Sequence, residues 1–308
     1  MSYIDQLQAR YPVRKKRAQK AAFRAFALEE AQRLGYDARV EQGAFGSNVV
    51  IGDPDRAQVI FTAHYDTPPT MPLPNFITPC RVGVYLLYQA GLVLALLAIS
   101  AAAGAAAGLA GCGRPIRAII FMGVHFGALA LMMFGPANPH NANDNPSGVA
   151  AVLETLALLS GSAREKAAFV LFDNEEKGML GSGSFAGKHK RAAKETLLVN
   201  MDCVGDGDSI LVFAPKRARA HSLYAALTEA LAPQGNKAVV WKNMEGCMYP
   251  SDQANFRCGV AVCACKTGRR IGYYCDKIHT RHDTWADGDN IALIARGLAA
   301  MADRLQGE

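Results

Sequence analysis

The sequence predicts an α/β fold, and three observations carry that expectation. Short apolar runs that read as strands alternate with helical patterns along the chain. Several of those runs are apolar throughout, which suits strands buried on both faces of a mostly parallel mixed sheet. Residues able to ligate a metal or move a proton fall at the ends of the runs, where open α/β sheets place their sites. With 308 residues, half of them hydrophobic, the chain can bury a large core. We expect one catalytic domain over residues 1–308, with an apolar helical hairpin inserted at 82–134.

Bulk composition narrows the setting. The net charge of +6 is modest and calls for no nucleic acid. Eight cysteines are scattered through a chain too long to need a disulfide framework. Met1 leads straight into polar residues, with no charged n-region followed by a cleavable apolar segment. Together these point to a reducing, cytoplasmic setting.

Residues 13–35 fit a helix with an apolar stripe that includes Phe23, Phe26 and Ala27, stopped by Gly35. Arg14, Lys15, Lys16, Arg17, Lys20 and Arg24 crowd its first half and read as a solvated face or a patch for anionic lipid. Strands are expected at 48–51 and 59–63. The second leads into His64-Tyr65-Asp66, where the His can ligate a metal while Asp66 fixes its tautomer from behind.

Residues 82–100 and 118–134 contain no Asp, Glu, Lys or Arg and are apolar all round. A bilayer crossing takes roughly 20 mainly apolar residues, so the first run qualifies and the second is at the short end. Two crossings return the chain to its starting side, as ligand candidates both before and after the insert require. The expected location is the cytoplasmic membrane with the catalytic part facing the cytoplasm, on the charge of the early basic segment. The alternative is a hairpin buried against the domain, or in a homodimer interface, of a cytoplasmic protein.

After the insert, the stretch Asn141–Gly148 precedes a helical pattern at 149–159, with Asp144 in the loop at its start, where the helix dipole favours a carboxylate. The strand at 167–172 leads to Glu175 and Glu176, adjacent carboxylates free to serve different ends: one on a metal, one moving a proton. A helix from about Met179, a strand at 196–201 ending in Asp202, a strand at 209–213 and a helix at 220–231 follow. Asp206 and Asp208 read as solvated turn residues. Tyr249–Asp252 forms a loop before a strand at 259–265, in which Cys263 and Cys265 are small buried thiols. His279-Thr280-Arg281-His282-Asp283 then precedes a last amphipathic helix at 291–305. Two His, two Asp and one Glu, with a second Glu to spare, suit a pair of zinc ions sharing a carboxylate and a water, with manganese or cobalt as substitutes.

The order His64-x-Asp66, Asp144-Asn145-Pro-Ser-Gly148, Glu175-Glu176-x-Gly178, Asp202 and His279-Thr280-x-x-Asp283-Thr284 resembles that of the di-zinc aminopeptidases. This is family twenty-eight of the metallopeptidases, which includes bacterial leucyl aminopeptidases, aminopeptidase Y and the glutamate carboxypeptidases. The resemblance implies a three-layer αβα zinc-exopeptidase fold and peptide substrates. It also implies roles: Asp144 bridges two zinc ions, His64 and Asp202 complete one site, and Glu176 and His279 the other. Glu175 is the general base and Asp66 orients His64. A cis peptide is implied at Asp144-Asn145, and the Ser251-Asp252 loop is implied to lie near substrate. There, Gln253 stands where a His is common, and Tyr249 is a candidate donor to the oxyanion. The apolar insert departs from the family, which joins its first His to its bridging Asp by a short loop. Two other functions share the scaffold: a glutaminyl-cyclase-like acyltransferase using one zinc, and a non-catalytic peptidase-like binding protein.

Overall fold

A computed structural model describes residues 1–305; the last three residues of the expected domain lie outside it. Nine strands form one mixed sheet: β1 (Ala38–Gly43), β2 (Gly46–Ile51), β3 (Val59–His64), β4 (Ala167–Phe172), β5 (Leu197–Met201), β6 (Ser209–Ala214), β7 (Ala238–Asn243), β8 (Gly259–Gly268) and β9 (Gly272–Tyr274). The order is β1-β2-β4-β3-β5-β8-β6-β7, with β9 on β8. Strands β4, β3, β5 and β8 run parallel to one another at its centre. All six residues of both β3 and β4 are buried, as continuous apolar strands require.

The helices are α1 (Tyr3–Arg10), α2 (Arg17–Arg33), α3 (Val82–Leu109), α4 (Arg114–Phe134), α5 (Gly148–Leu158), α6 (Ala163–Lys166), α7 (Leu180–Lys188), α8 (Lys190–Lys194), α9 (Lys216–Arg219), α10 (Tyr224–Ala230) and α11 (Gly288–Arg304). One face of the sheet is covered by α1, α2, α5, α10 and α11, whose apolar stripes join Phe61, Phe169, Val199 and Val260 in the main core. The other face packs Phe185 of α7 and Ala192 of α8 against Ile60, Val170 and Phe172, and a separate cluster around Cys263, Cys265 and Tyr249 completes it. This is the expected three-layer αβα arrangement.

Helices α3 and α4 stand apart as an antiparallel pair. Only Ser100 and Gly104 of α3 are buried, and none of α4. Both are long and apolar enough to cross a membrane. The small residues allow close approach: a Cβ on Gly104 would meet the Arg117 carbonyl oxygen at 3.2 Å.

Several expectations are corrected. The first long helix starts at Arg17, four residues after the expected position, and α1 precedes it. Its stop is as expected, with Gly35 at φ 82°. The helix expected from residue 220 starts at Tyr224. Arg14 and Lys20 do not belong to a solvated face: both are buried, Arg14 completely. Asp206 is also buried, paired with Lys266 at 3.2 Å and Lys277 at 3.4 Å, since the β8 hairpin folds over its turn.

Candidate metal centre

The site forms at the carboxyl ends of β4, β3 and β5. The chain enters at β3, adds β4 on one side and β5 on the other, and the crevice opens where the order divides. His64 ends β3, the glutamate turn follows β4, and Asp202 follows β5. Asp144 lies just before α5, and His279 comes from the segment preceding α11.

These five residues converge. The His64 Nε2 atom lies 3.3 Å from Asp144 Oδ1 and 3.6 Å from Asp202 Oδ1. On the other side, His279 Nε2 lies 3.0 Å from Asp144 Oδ2 and 3.3 Å from Glu176 Oε2. Asp144 therefore turns one oxygen to each half of the site. Among the described residues, three triads have their donor atoms within 4.8 Å of one another: His64-Asp144-Asp202 and Asp144-Glu176-His279, which share Asp144, and His64-Glu175-Glu176. The donor set fits divalent cations: carboxylates crowd together with only imidazoles between them, and Asp144 Oδ1 and Glu176 Oε1 are buried without a hydrogen-bond partner.

The surrounding backbone is held by a dense polar frame. Asp66 lies with Oδ1 3.5 Å from His64 Nδ1, and its carboxylate also accepts from the backbone N–H groups of Glu175 and Glu176. It thus holds the glutamate turn as well as facing the imidazole, a second task its sequence position did not reveal. Asp173 is clamped by Lys20, which also donates to Asn174 Oδ1 at 2.7 Å. Around Asp144, Asn145 accepts from the N–H of Cys203 and donates to the Met201 carbonyl. Ser147 accepts from Val204 and Asn143 from Gly205. The Asx-rich stretch is a brace between α5 and the turn after β5, and Gly148 is required there: a Cβ would come within 2.3 Å of the Met201 oxygen. Asp283 accepts from the N–H groups of Asn143 and Asp144 at 2.7 and 2.9 Å. The Asp144-Asn145 peptide is cis. Three of the four non-glycine residues with positive φ (Asn174, Cys203 and His279) lie at or beside the ligands, as strained backbone at functional sites does.

Electrostatics follow from this packing. Burial opposes ionisation of Asp144, but the adjacent imidazoles of His279 and His64 outweigh it and hold the carboxyl well below its usual range. Burial pushes the Glu175 carboxyl well above its ordinary value, with Glu176, Asp252 and Asp202 adding to the rise against the attraction of His64. Asp252 is fully buried with both carboxylate oxygens unpartnered, and burial raises it to about 7.

Glu175 and the five candidate ligand residues share one pocket of about 130 Å³ whose remaining walls include Ile77, Tyr85, Met248 and Ile278. One expectation about its rim is corrected. The Tyr249 hydroxyl donates to the Asp202 carbonyl at 3.0 Å, so it supports a ligand's backbone and is not free for an oxyanion. Gln253 points inward, donating to the Tyr249 carbonyl and accepting from Asn200. Sequence reasoning placed Arg14 on a solvated face and missed its role at the site. Its guanidinium donates to the carbonyls of Tyr65 and Tyr11 at 2.5 and 2.6 Å, directly behind His64 and Asp66.

Fold and site define a metallohydrolase-like α/β protein with a cluster of His and carboxylate groups able to hold metal. The chain belongs to Peptidase family M28, whose model matches residues 48–302. No curated protein matches it. Among solved structures it is similar to the LapA aminopeptidase of Legionella pneumophila at 14% identity and a TM-score of 0.58, over 99% of this chain and 70% of that one. It is similar to the glutaminyl cyclase of Porphyromonas gingivalis at 14% identity and 0.62, over 99% and 97%. A Zn-dependent exopeptidase from Parabacteroides distasonis matches at 14% and 0.56, over 97% and 94%. At such identities these likenesses speak for the fold.

Proposed function

We propose that the protein is a zinc-dependent aminopeptidase, held in the cytoplasmic membrane by α3 and α4 with its catalytic domain facing the cytoplasm. The observation that carries the reading is the Asp144 carboxylate shared between two His–carboxylate pairs, with the free carboxyl of Glu175 in the same pocket. His64, Asp144 and Asp202 on one side, and Asp144, Glu176 and His279 on the other, would hold zinc, which would supply Lewis acidity toward water and the scissile carbonyl. Glu175 accepts the proton of the attacking water and delivers it to the leaving amine, a task suited to a buried carboxyl of raised pKa. Asp66 keeps His64 and the glutamate turn in register.

Support for the amino end of the peptide comes from the pocket walls. Among the described residues no Lys or Arg lines the pocket, so a free carboxyl terminus would find no basic side chain to pair with there.

The test uses zinc-loaded, detergent-purified protein on peptides with free and acetylated amino termini, followed by mass spectrometry. Stepwise shortening of the free peptides alone is expected, and shortening of both kinds rejects the assignment. Glu175→Gln should keep its zinc and lose at least 100-fold in turnover, whereas Asp144→Ala should lose zinc. A Glu175→Gln variant with substantial activity would sink the mechanism. A second reading, cyclisation of amino-terminal Gln, is favoured by the likeness to glutaminyl cyclases; it shows as loss of ammonia without shortening.

A further inference from the structure

We propose that the apolar hairpin is part of the substrate site, with Tyr85 on the first turn of α3 selecting peptides whose amino-terminal side chain is apolar. The inference rests on the aminopeptidase reading and deepens it. The pocket has a charged floor, made by the ligand residues and Glu175, and an apolar wall of Ile77, Tyr85, Met248 and Ile278. Beyond the metal-binding cluster and Glu175, no ionised side chain of the described residues lines it. A lysine or glutamate side chain entering beside that wall would lose its hydration without a partner, which is costly. An apolar side chain would bury its surface there.

Tyr85 is not carried by a loose tether. The strap leading into α3 is fixed to the segments that carry the other wall residues. Ile77 exchanges backbone hydrogen bonds with Cys275, both at 2.9 Å. The Met248 N–H donates to the Pro79 carbonyl at 2.8 Å, and the Asn75 side chain to the Ile278 carbonyl at 3.0 Å. One turn further along α3, Tyr88 packs edge-on against Phe76 with centroids 5.8 Å apart, and Phe76 packs on Tyr274. The Tyr88 hydroxyl donates to the Pro74 carbonyl. The far side of the insert is tied to the same region, since Asn138 donates to the carbonyls of Thr280 and Asp283. The insert therefore emerges around the His279 segment, and its first turn presents Tyr85 to the reacting centre as a rigid aromatic wall.

The test compares full-length, zinc-loaded wild type with Tyr85→Ala, Tyr85→Phe and Leu94→Ala, the last an exposed residue farther along α3. Kinetics on tripeptides beginning with Leu, Phe, Lys or Glu are paired with calorimetric titration of leucine and lysine hydroxamates. Wild type should favour Leu and Phe at least tenfold in kcat/KM, and bind leucine hydroxamate at least tenfold more tightly than the lysine compound. Tyr85→Ala should raise KM for Leu and Phe peptides about tenfold, with kcat within twofold and Lys peptides unchanged. Tyr85→Phe and Leu94→Ala should match wild type. Equal losses on every peptide would make Tyr85 merely structural, and no loss would remove it from the wall; either overturns the proposal. If wild type shortens no peptide, the aminopeptidase reading fails by itself. The hydroxamates then decide Tyr85 separately: a leucine preference lost in Tyr85→Ala upholds it, and equal or absent binding overturns it.

Discussion

Arg14 shows how a single side chain behind a site can matter as much as one within it. Its guanidinium is fully buried, stacked over Phe23 at 5.5 Å and bonded to two carbonyls. Burial lowers its pKa to about 10, against the pull of Asp66 and Asp144, so it stays charged at neutral pH. It thereby adds a fixed positive charge beside a cluster of carboxylates. Arg14→Met keeps the volume but leaves the Tyr65 and Tyr11 carbonyls without a donor, at a cost of about 3 kcal/mol. The melting temperature should fall by about 5 °C. Arg14→Lys, which retains charge without the planar fork, should recover only part of it. An unchanged melt in Arg14→Met would show the carbonyls find other donors. The five candidate ligand residues that converge in the structure were legible from their types and order. Arg14 and Lys20 were not, because a run of basic residues reads as a solvated face unless its distant partners, here Tyr65 and Asp173, are known.

At the level of elements, legibility tracked the amount of apolar surface each buries. The buried strands β3, β4, β5 and β6 were apparent as runs. The missed ones, β1, β7 and β9, are only partly buried and carry a weaker pattern. The hairpin was plain because it lacks any polar face. Its outward residues, Leu94 at 65% exposure among them, meet no protein in this structure, so the membrane assignment makes a direct prediction. The full-length protein should stay in the membrane pellet after alkaline carbonate extraction. Leu94→Glu, placing a carboxylate near the middle of α3, costs about 2.5–3.5 kcal/mol on an insertion scale and should release a measurable share. Wild type found wholly in the soluble fraction would remove the bilayer and leave a partner protein, or a second copy, to cover the helices.

For the molecule as a whole, the core and the metal cluster contribute separately. The sheet with its two helical layers buries a continuous core on both faces without help from the site, so the metal-free chain should remain folded. In that state Asp144, Glu175, Glu176 and Asp202 crowd together, with imidazoles as their main counter-charges. Cations that bind only the native arrangement stabilise it by mass action, about 2.7 kcal/mol per site at a hundredfold excess over Kd. Chelation should therefore lower the melting temperature by several degrees without unfolding the protein at 25 °C, and zinc should restore it. Asp144→Ala should abolish the zinc-dependent rise, because both halves of the site lose the same shared ligand. A variant that kept half the rise would show that His64 with Asp202, or Glu176 with His279, holds an ion unaided. The carboxylate at the division of strand order would then not be the joint between the two halves.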